Sequence, residues 1–530
     1  MISVARVRPA IARMTLAAVL AMSVAGGGQA LGATKLKTKS TKRSTAKAQA
    51  EPAPANAATT GASAPTIATQ DRAVFASCDS GLECADILVP LDPAHPGGNH
   101  ITLFVSRRPA SNPAIRIGAL FVNPGGPGGP AFDLVRSAKN FLTTEVLDRF
   151  DVVGVDPRGT DRSAPLDCSF DNLSTRDLVF PADNSQLERS RAVYANLGKA
   201  CSVSDGKKLA FMDTTTAARD IDAVRVAIGE EKISFLGMSY GTYLGAVYES
   251  LYPERTQSIV LDSAIDPSRF GVNQVLDPIA QSEVSLDAFL IACANGALAP
   301  CRFGDGTDLR VKFNTVRETF LASRRNRSRA ENKFDSTINS LIGYPRNGWP
   351  VLGRALQELA EGRQAIFEAT PADNLAASDR ERIVPADRFS RTTNTAIICA
   401  DGILPRDQTG YQTIVDQIPV LAPRFSGLRL SQFVATTCEQ WPTATAALTP
   451  LRSAPGATLV IGNNYDPTTP IAWSRALAGE LGSAFLVRNG GGHVAVDKSA
   501  CVQEAVARFL IDRVAPAQGT VCSPDIAHPS

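Results

Sequence analysis

The sequence has very few histidines, only four in 530 residues. Its ten cysteines include no pair in the C-x-x-C spacing. Structural zinc sites and redox-active dithiols depend on these residues and on that spacing. We therefore expect a protein without a metal and without a cofactor.

Long apolar runs and a basic surplus are also missing. Beyond the N-terminus, no stretch approaches the roughly 18 apolar residues that a membrane-spanning helix needs. Residues 1–50 hold nine of the 54 Lys and Arg and none of the 52 Asp and Glu, so the rest of the chain is mildly acidic. Without a basic face, nucleic acid is not an expected partner.

The N-terminal 33 residues are typical of an export signal. A positively charged start is followed by a short apolar run at 14–26 and then by small residues, with cleavage expected after Ala30 or Ala33. An uncleaved anchor is the alternative. The protein is therefore predicted to be exported, to a periplasm or out of the cell.

Residues 34–70 are rich in Lys, Thr, Ala and Pro and contain almost no large apolar side chains. Such a segment cannot bury enough surface to offset its ordering entropy, so we predict a disordered tether. Its lysines allow a weak contact with an anionic envelope surface, although a solvated tail is the simpler interpretation. The sequence leaves the oligomeric state open.

The ten cysteines fit an exported protein held by disulfides. Sequence alone cannot fix the connectivity. Pairing of sequential neighbours is the simplest hypothesis, because each closed loop is then short.

From about residue 85, short apolar runs alternate with helical patterns, which predicts an α/β fold with a mostly parallel, eight-stranded sheet. This alternation of strand and helix patterns stops at 266–450, where helical periodicity dominates. We therefore expect a core in two parts, residues 71–265 and 451–530, interrupted by a helical insertion at 266–450. The predicted strands are 87–91, 101–106, 118–123, 150–156, 232–236, 257–261, 457–462 and 483–488, and a final amphipathic helix covers 497–514.

The motif G-M-S-Y-G at 237–241 matches G-x-S-x-G, the signature of a nucleophile elbow. It follows a predicted strand and opens a helical run, which is the setting that such an elbow requires. Ser239 is therefore the candidate nucleophile. The backbone N–H of Tyr240, the next residue, is a candidate donor to an oxyanion.

A serine nucleophile needs a base, and His493 is the only histidine in a loop after a late strand. His95 and His100 precede the elbow, and His528 is close to the C-terminus. Asp466 follows the predicted strand 457–462 and is the candidate acid that orients the imidazole. Asp262, at the end of the strand 257–261, is the rival.

A second oxyanion donor is expected from the loop after the third strand, which reads N-P-G-G-P-G-G-P at 123–130. Its glycines let backbone N–H groups approach a substrate closely. A simple tight turn is the alternative interpretation.

These segments resemble the exported tripeptidyl aminopeptidase and prolyl aminopeptidase branch of the α/β-hydrolases. The loop P-G-G-P-G at 124–128 is similar to the H-G-G-P-G loop of prolyl aminopeptidases, with Pro124 in place of the histidine. The stretch D-V-V-G-V-D-P-R-G at 151–159, the elbow, C-A-D-G at 399–402 and C-E-Q-W-P at 438–442 also resemble segments of this branch. Thr160 and Asp161 depart from the usual glycine.

The resemblance implies an α/β-hydrolase fold with a large, mainly helical lid, and a triad of Ser239, Asp466 and His493. It also implies that the backbone N–H groups of Gly126 and Tyr240 form the oxyanion hole. It also implies an aminopeptidase that releases di- or tripeptides from short peptide substrates through an acyl-enzyme. A carboxylesterase with the same triad is the alternative, because one fold hosts both activities. A non-catalytic envelope-binding protein is a more remote alternative.

Overall fold

The computed structural model describes residues 72–79, 81–168, 184–296, 298, 301–304, 308–368, 390–429 and 434–523. The predicted export signal and tether, as well as His528, lie outside the described residues. Among the described residues, no helix is long and apolar enough to cross a membrane.

A ten-stranded sheet forms the centre of the fold, in the order β1-β2-β3-β5-β4-β6-β7-β8-β9-β10. The three edge pairs β1–β2, β2–β3 and β3–β5 are antiparallel, and all other neighbours are parallel. The eight predicted strands are β2 to β9, and two short strands extend the edges. The strands are β1 Ala76–Asp79, β2 Leu82–Pro90, β3 His100–Arg108, β4 Gly118–Asn123, β5 Phe150–Val155, β6 Ile233–Met238, β7 Thr256–Asp262, β8 Thr458–Tyr465, β9 Ala484–Gly491 and β10 Val521–Cys522.

The central strands are buried along their whole length, as parallel strands covered on both faces should be. On one face pack the helices α4 (Thr214–Ile228), α5 (Tyr240–Leu251) and α14 (Ile471–Leu481). On the other face pack α1 (Phe132–Arg136), α2 (Thr144–Arg149) and α15 (Ala500–Asp512). The predicted final helix is α15, and its apolar stripe of Val502, Val506, Phe509 and Leu510 is buried against the sheet. A further helix, α3 (Asn184–Leu209), precedes α4.

Between β7 and β8, every regular element in the described residues is helical. This part of the chain begins at the carboxyl end of β7. Because β7 is parallel to β6, that end of the sheet is the one that carries the elbow. Its α-helices are α6 Asn273–Ala294, α7 Leu309–Ala322, α8 Arg327–Ile342, α9 Gly348–Ala360, α10 Ala365–Glu368, α11 Arg391–Ala400, α12 Gln408–Leu421 and α13 Val434–Thr437.

The ten cysteines form five disulfides, each between sequential neighbours, which was the simplest hypothesis from the sequence. Two of these bridges, Cys293–Cys301 and Cys399–Cys438, lie within the insertion. Five disulfides fit a protein that folds in an oxidising compartment. The other pairs are Cys78–Cys84, Cys168–Cys201 and Cys501–Cys522.

Candidate active site

Ser239 stands at the sharp turn between β6 and α5. Its backbone has φ 56° and ψ −126°, a conformation that costs free energy for a residue with a Cβ. The flanking residues must be glycine, because a Cβ on Gly237 would come within 2.1 Å of the carbonyl oxygen of Gly241. A Cβ on Gly241 would likewise come within 2.7 Å of the carbonyl oxygen of Asn123. This strained strand-to-helix turn has the geometry of a nucleophile elbow.

His493 and Asp466 meet at the ends of β9 and β8. The Nδ1 atom of His493 lies 2.9 Å from Oδ2 of Asp466 and 3.2 Å from Oδ1. The Asp466 side chain is fully buried, and that of His493 is one-quarter exposed. Because Nδ1 faces the carboxylate, Nε2 is the ring nitrogen left for proton transfer.

The surroundings of Asp466 keep it ionised. Burial alone would raise its pKa, but the charge and hydrogen bond of His493, together with two backbone donors, bring the pKa below the usual value. The backbone N–H groups of Thr468 and Thr469 add to the lowering, since both donate to Oδ1, at 2.9 and 3.1 Å. A buried carboxylate of this kind can stabilise an imidazolium without taking its proton.

Thr469 belongs to this site but was not singled out by the sequence analysis. Its hydroxyl donates to Oδ2 of Asp466 at 2.9 Å and lies 3.2 Å from Nδ1 of His493. The side chain therefore holds the carboxylate against the ring. The signal was present in the turn D-P-T-T at 466–469, where a threonine three residues after an aspartate can bond back to it.

Asp262, the rival acid, occupies a different place. Its carboxylate accepts the backbone N–H groups of Ala495 and Val496 at 2.8 to 3.1 Å. The neighbouring Ser263 accepts the N–H of Val494 through its hydroxyl at 3.0 Å. The end of β7 therefore holds the three residues that follow His493, and the acid that contacts the imidazole is Asp466.

The Gly/Pro loop at 124–130 lies directly against the elbow. A Cβ on Gly125, where φ is +89°, would come within 2.9 Å of the Tyr240 nitrogen and 3.0 Å of the Ser239 Cβ. The side chain of Asn123 fixes the start of the loop by accepting the N–H of Gly125 at 2.9 Å. The loop that contains Gly126 and the N–H of Tyr240 therefore converge beside Ser239.

The insertion contacts the loop that carries His493. A Cβ on Gly492, where φ is +89°, would come within 2.7 Å of Cδ of Pro345, and one on Gly491 within 2.9 Å of the ring of Trp349. The close packing of Pro345 and Trp349 therefore requires glycine at both positions.

The other histidines in the described residues stand elsewhere. His95 is exposed and pairs with Asp92 in the turn after β2, and His100 begins β3. Within the part of the chain that the structure describes, no group of three His, Cys, Asp or Glu side chains is placed to hold a metal ion.

Comparisons with known proteins place this site in a family. A family model described as alpha/beta hydrolase fold matches residues 118–300, and one described as TAP-like protein matches residues 423–522. Carboxylesterase B of Mycobacterium tuberculosis is 30% identical over 465 residues, which cover 83% of this chain and 86% of that protein. The chain belongs to the α/β-hydrolase family.

Two further relatives carry peptidase names. Serine protease Hip1 of Mycobacterium tuberculosis is 29% identical over 474 residues, covering 83% of this chain and 87% of that protein. Tripeptidyl aminopeptidase of Streptomyces coelicolor is 38% identical over 195 residues, or 36% of each chain. These relationships confirm the fold class and the branch that the sequence predicted.

Proposed function

We propose that this protein is an exported serine peptidase that releases di- or tripeptides from the free N-termini of short peptides. Ser239 is the nucleophile, His493 the general base and acid, and Asp466 the group that orients the imidazole. The backbone N–H groups of Gly126 and Tyr240 form the oxyanion site. That the chain is a serine hydrolase with peptidase relatives follows from the family; the residue roles and the exopeptidase activity are our proposal.

One observation supports the mechanism above all others. A buried carboxylate, an imidazole and a strained serine turn stand at the ends of β8, β9 and β6, three strands from the parallel part of one sheet. The Asp–His hydrogen bond leaves Nε2 available, and the glycine loop packs directly against the elbow. This is the arrangement that acyl transfer requires.

The reaction then follows from these positions. Nε2 of His493 accepts the hydroxyl proton as Oγ of Ser239 attacks the carbonyl carbon of the substrate. The negative charge that develops on the carbonyl oxygen is stabilised by the two backbone N–H groups. His493 returns the proton to the leaving amine, and an acyl-enzyme remains. Water, deprotonated by His493, then releases the acid and restores Ser239.

A free substrate amine requires an acidic partner, and we assign none. Two carboxylates of the insertion are already paired with arginines. Glu283 accepts from the backbone N–H and the guanidinium of Arg424, and Glu318 contacts Arg327 at 2.7 Å. The insertion stands over the sheet edge that carries the site, which supports its proposed role as a lid that limits substrate length.

A carboxylesterase is the second candidate, because the match to the relative named carboxylesterase B covers 83% of this chain. Esters and amides use the same triad and differ in the leaving group and in the pocket that holds it. The remote alternative is a non-catalytic envelope-binding protein. Such a protein would not need the hydrogen-bonded pair of Asp466 and His493.

We also propose the export route predicted from the sequence, with cleavage after Ala30 or Ala33. The five disulfides support an oxidising compartment. In this proposal the tether at 34–70 makes weak envelope contacts, and nucleic acid is not a partner.

The deciding experiment compares the purified mature protein with its Ser239→Ala variant on three substrates. These are a tripeptide anilide with a free amine, the same anilide with an acetylated amine, and a short acyl ester. We expect hydrolysis of the free-amine peptide, little or no hydrolysis of the acetylated one, and a loss of roughly 10⁴-fold or more in the variant.

Each result has a definite meaning. Turnover of the ester alone would replace the peptidase with the esterase. Equal hydrolysis of free and acetylated peptide would remove the requirement for an N-terminal amine. If wild type and Ser239→Ala were equally inert, and a fluorophosphonate labelled neither, the proposed mechanism would be wrong.

A further inference from the structure

Helix α11 belongs to the insertion, yet its first turn is bonded to the Gly/Pro loop of the core. The side chain of Asn394 donates through Nδ2 to the carbonyl oxygen of Pro127 at 2.8 Å. The backbone N–H of Ser390 donates to the carbonyl oxygen of Gly128 at 3.2 Å. The contact is tight, since a Cβ on Gly128 would come within 2.8 Å of the Ser390 carbonyl oxygen. The loop is therefore held between the elbow on one side and α11 on the other.

The other end of α11 reaches the elbow itself through one intermediate residue. Asp401, directly after the helix, accepts the backbone N–H of Thr214 at 2.9 Å and its hydroxyl at 2.5 Å. The same hydroxyl is hydrogen-bonded to the phenolic oxygen of Tyr240. A threonine hydroxyl has one proton, and because that proton goes to Asp401, the Tyr240 hydroxyl is the donor to Thr214.

These three side chains are shielded from water. Tyr240 is 2% exposed, Thr214 is 0% exposed and Asp401 is 3% exposed. A buried phenol that lost its partner would remain unsatisfied, at a cost in free energy, or would move to find another partner. Any such movement passes to the backbone of Tyr240, which is adjacent to Ser239 and carries the proposed oxyanion donor.

We propose that α11 is a positioning element for the oxyanion site, holding the Gly126 loop through Asn394 and the Tyr240 donor through Asp401 and Thr214. The inference rests on the oxyanion assignment in the proposed function. It gives the insertion a catalytic task besides covering the site: the core alone does not complete the support of either donor. Asn394, Asp401 and Thr214 act through backbone groups and do not touch the substrate.

The test uses three threonine substitutions in the full mature protein. Thr214→Val removes the hydroxyl and keeps the shape, whereas Thr214→Ser restores a hydroxyl. Thr215→Val is the matched control, because Thr215 is the next residue of α4 and its hydroxyl bonds Thr449 of the insertion at 2.8 Å, away from Tyr240. The first readout is the rate at which a fluorophosphonate probe reacts with Ser239, since phosphonylation also develops an oxyanion. The second readout is kcat and KM.

We expect Thr214→Val to lower the labelling rate and kcat by on the order of 10- to 100-fold with little change in KM, because donors would be misplaced rather than substrate binding lost. Thr214→Ser should recover most of both rates, and Thr215→Val should match the wild type. Asn394→Ala, at a half-buried side chain, should lower both rates about tenfold, because the loop that carries the Gly126 donor would be held less firmly.

The inference is wrong if folded Thr214→Val and Asn394→Ala both label at the wild-type rate. It is also wrong if Thr215→Val loses as much as Thr214→Val, since the effect would then belong to general packing. If Thr214→Val does not fold, Asn394→Ala decides the matter, and labelling at the wild-type rate in that variant would overturn the inference. Because the probe requires no peptide, a wild type that labels rapidly but cleaves only esters would overturn the peptidase proposal and leave this inference intact.

Discussion

Two aspartates occupy matching places in this molecule and have opposite electrostatic behaviour. Asp262 ends β7, Asp466 follows β8, and both side chains are fully buried. Burial raises the pKa of Asp262 to about 6, and the backbone N–H groups of Val496 and Ala495, together with the nearby Lys498, offset that effect only in part. Burial also opposes the ionisation of Asp466, but His493 and the backbone N–H groups of Thr469 and Thr468 together lower that pKa. The difference shows that a contact with the imidazole, and not position at a strand end, defines the acid.

The largest expected effect comes from comparing Asp466→Asn with Asp262→Asn. We expect Asp466→Asn to lose roughly 10⁴-fold in kcat, because an amide can hold the imidazole in the wrong tautomer. Asp262→Asn should lose less than about 100-fold, since it disturbs only the backbone after His493. Kinetics on the best substrate from the three-substrate comparison, with circular dichroism to verify folding, would measure both. Equal losses would show that Asp262 shares the role of the acid.

A smaller effect separates the side chains that support each aspartate. Thr469→Val removes a hydroxyl that contacts both Asp466 and His493, so we expect a loss on the order of 10- to 100-fold in kcat. Ser263→Ala removes the acceptor for the N–H of Val494 and should reduce thermal stability more than it reduces kcat. A Thr469→Val variant with full activity would mean that Asp466 and His493 keep their geometry without that hydroxyl.

Much of this site could be predicted because it lies at strand ends. The elbow at Ser239, the carboxylate after β8 and the imidazole after β9 all follow from chain order once the strands are recognised, and each strand is a short apolar run. The edge strands β1 and β10 were not predicted, because four and two residues carry too little pattern. The exposed β1 also lacks the alternation of a half-buried strand.

Contacts between distant segments could not be predicted in this way. The bond from Asp401 to Thr214 joins residues 187 positions apart, and neither lies in a periodic pattern that points to the other. Asp401 was visible only as part of a family-like segment at 399–402. The packing of Pro345 on Gly492 is likewise a property of the folded insertion, whose helices reveal their faces but not which core loop they meet. Tertiary partners of this kind require coordinates.

The smallest effect, and the most direct test of the two environments, is the dependence of stability on pH. The pKa of Asp262 is about 6 in the folded protein and about 3.8 when unfolded, so its favourable contribution is complete below about pH 4 and is lost as the pH rises through 6. The charged neighbours Asp497 and Lys498 act on it in opposite directions. Raising the pH from 4.5 to 7.5 should therefore lower the Tm of the wild type relative to that of Asp262→Asn by on the order of 2–4 °C.

Asp466 should give the opposite slope. Its folded pKa is lower than its unfolded value, so its contribution is present above about pH 3.8 and is lost as the pH falls further. Lowering the pH from 5 to 3 should therefore lower the Tm of the wild type relative to that of Asp466→Asn. Over the same pH change, the Tm of the wild type should rise relative to that of Asp262→Asn. Scanning calorimetry of both variants across pH 3 to 7.5 measures the two slopes. Slopes of the same sign would mean that the two carboxylates experience the same environment, and the contrast between them would be wrong.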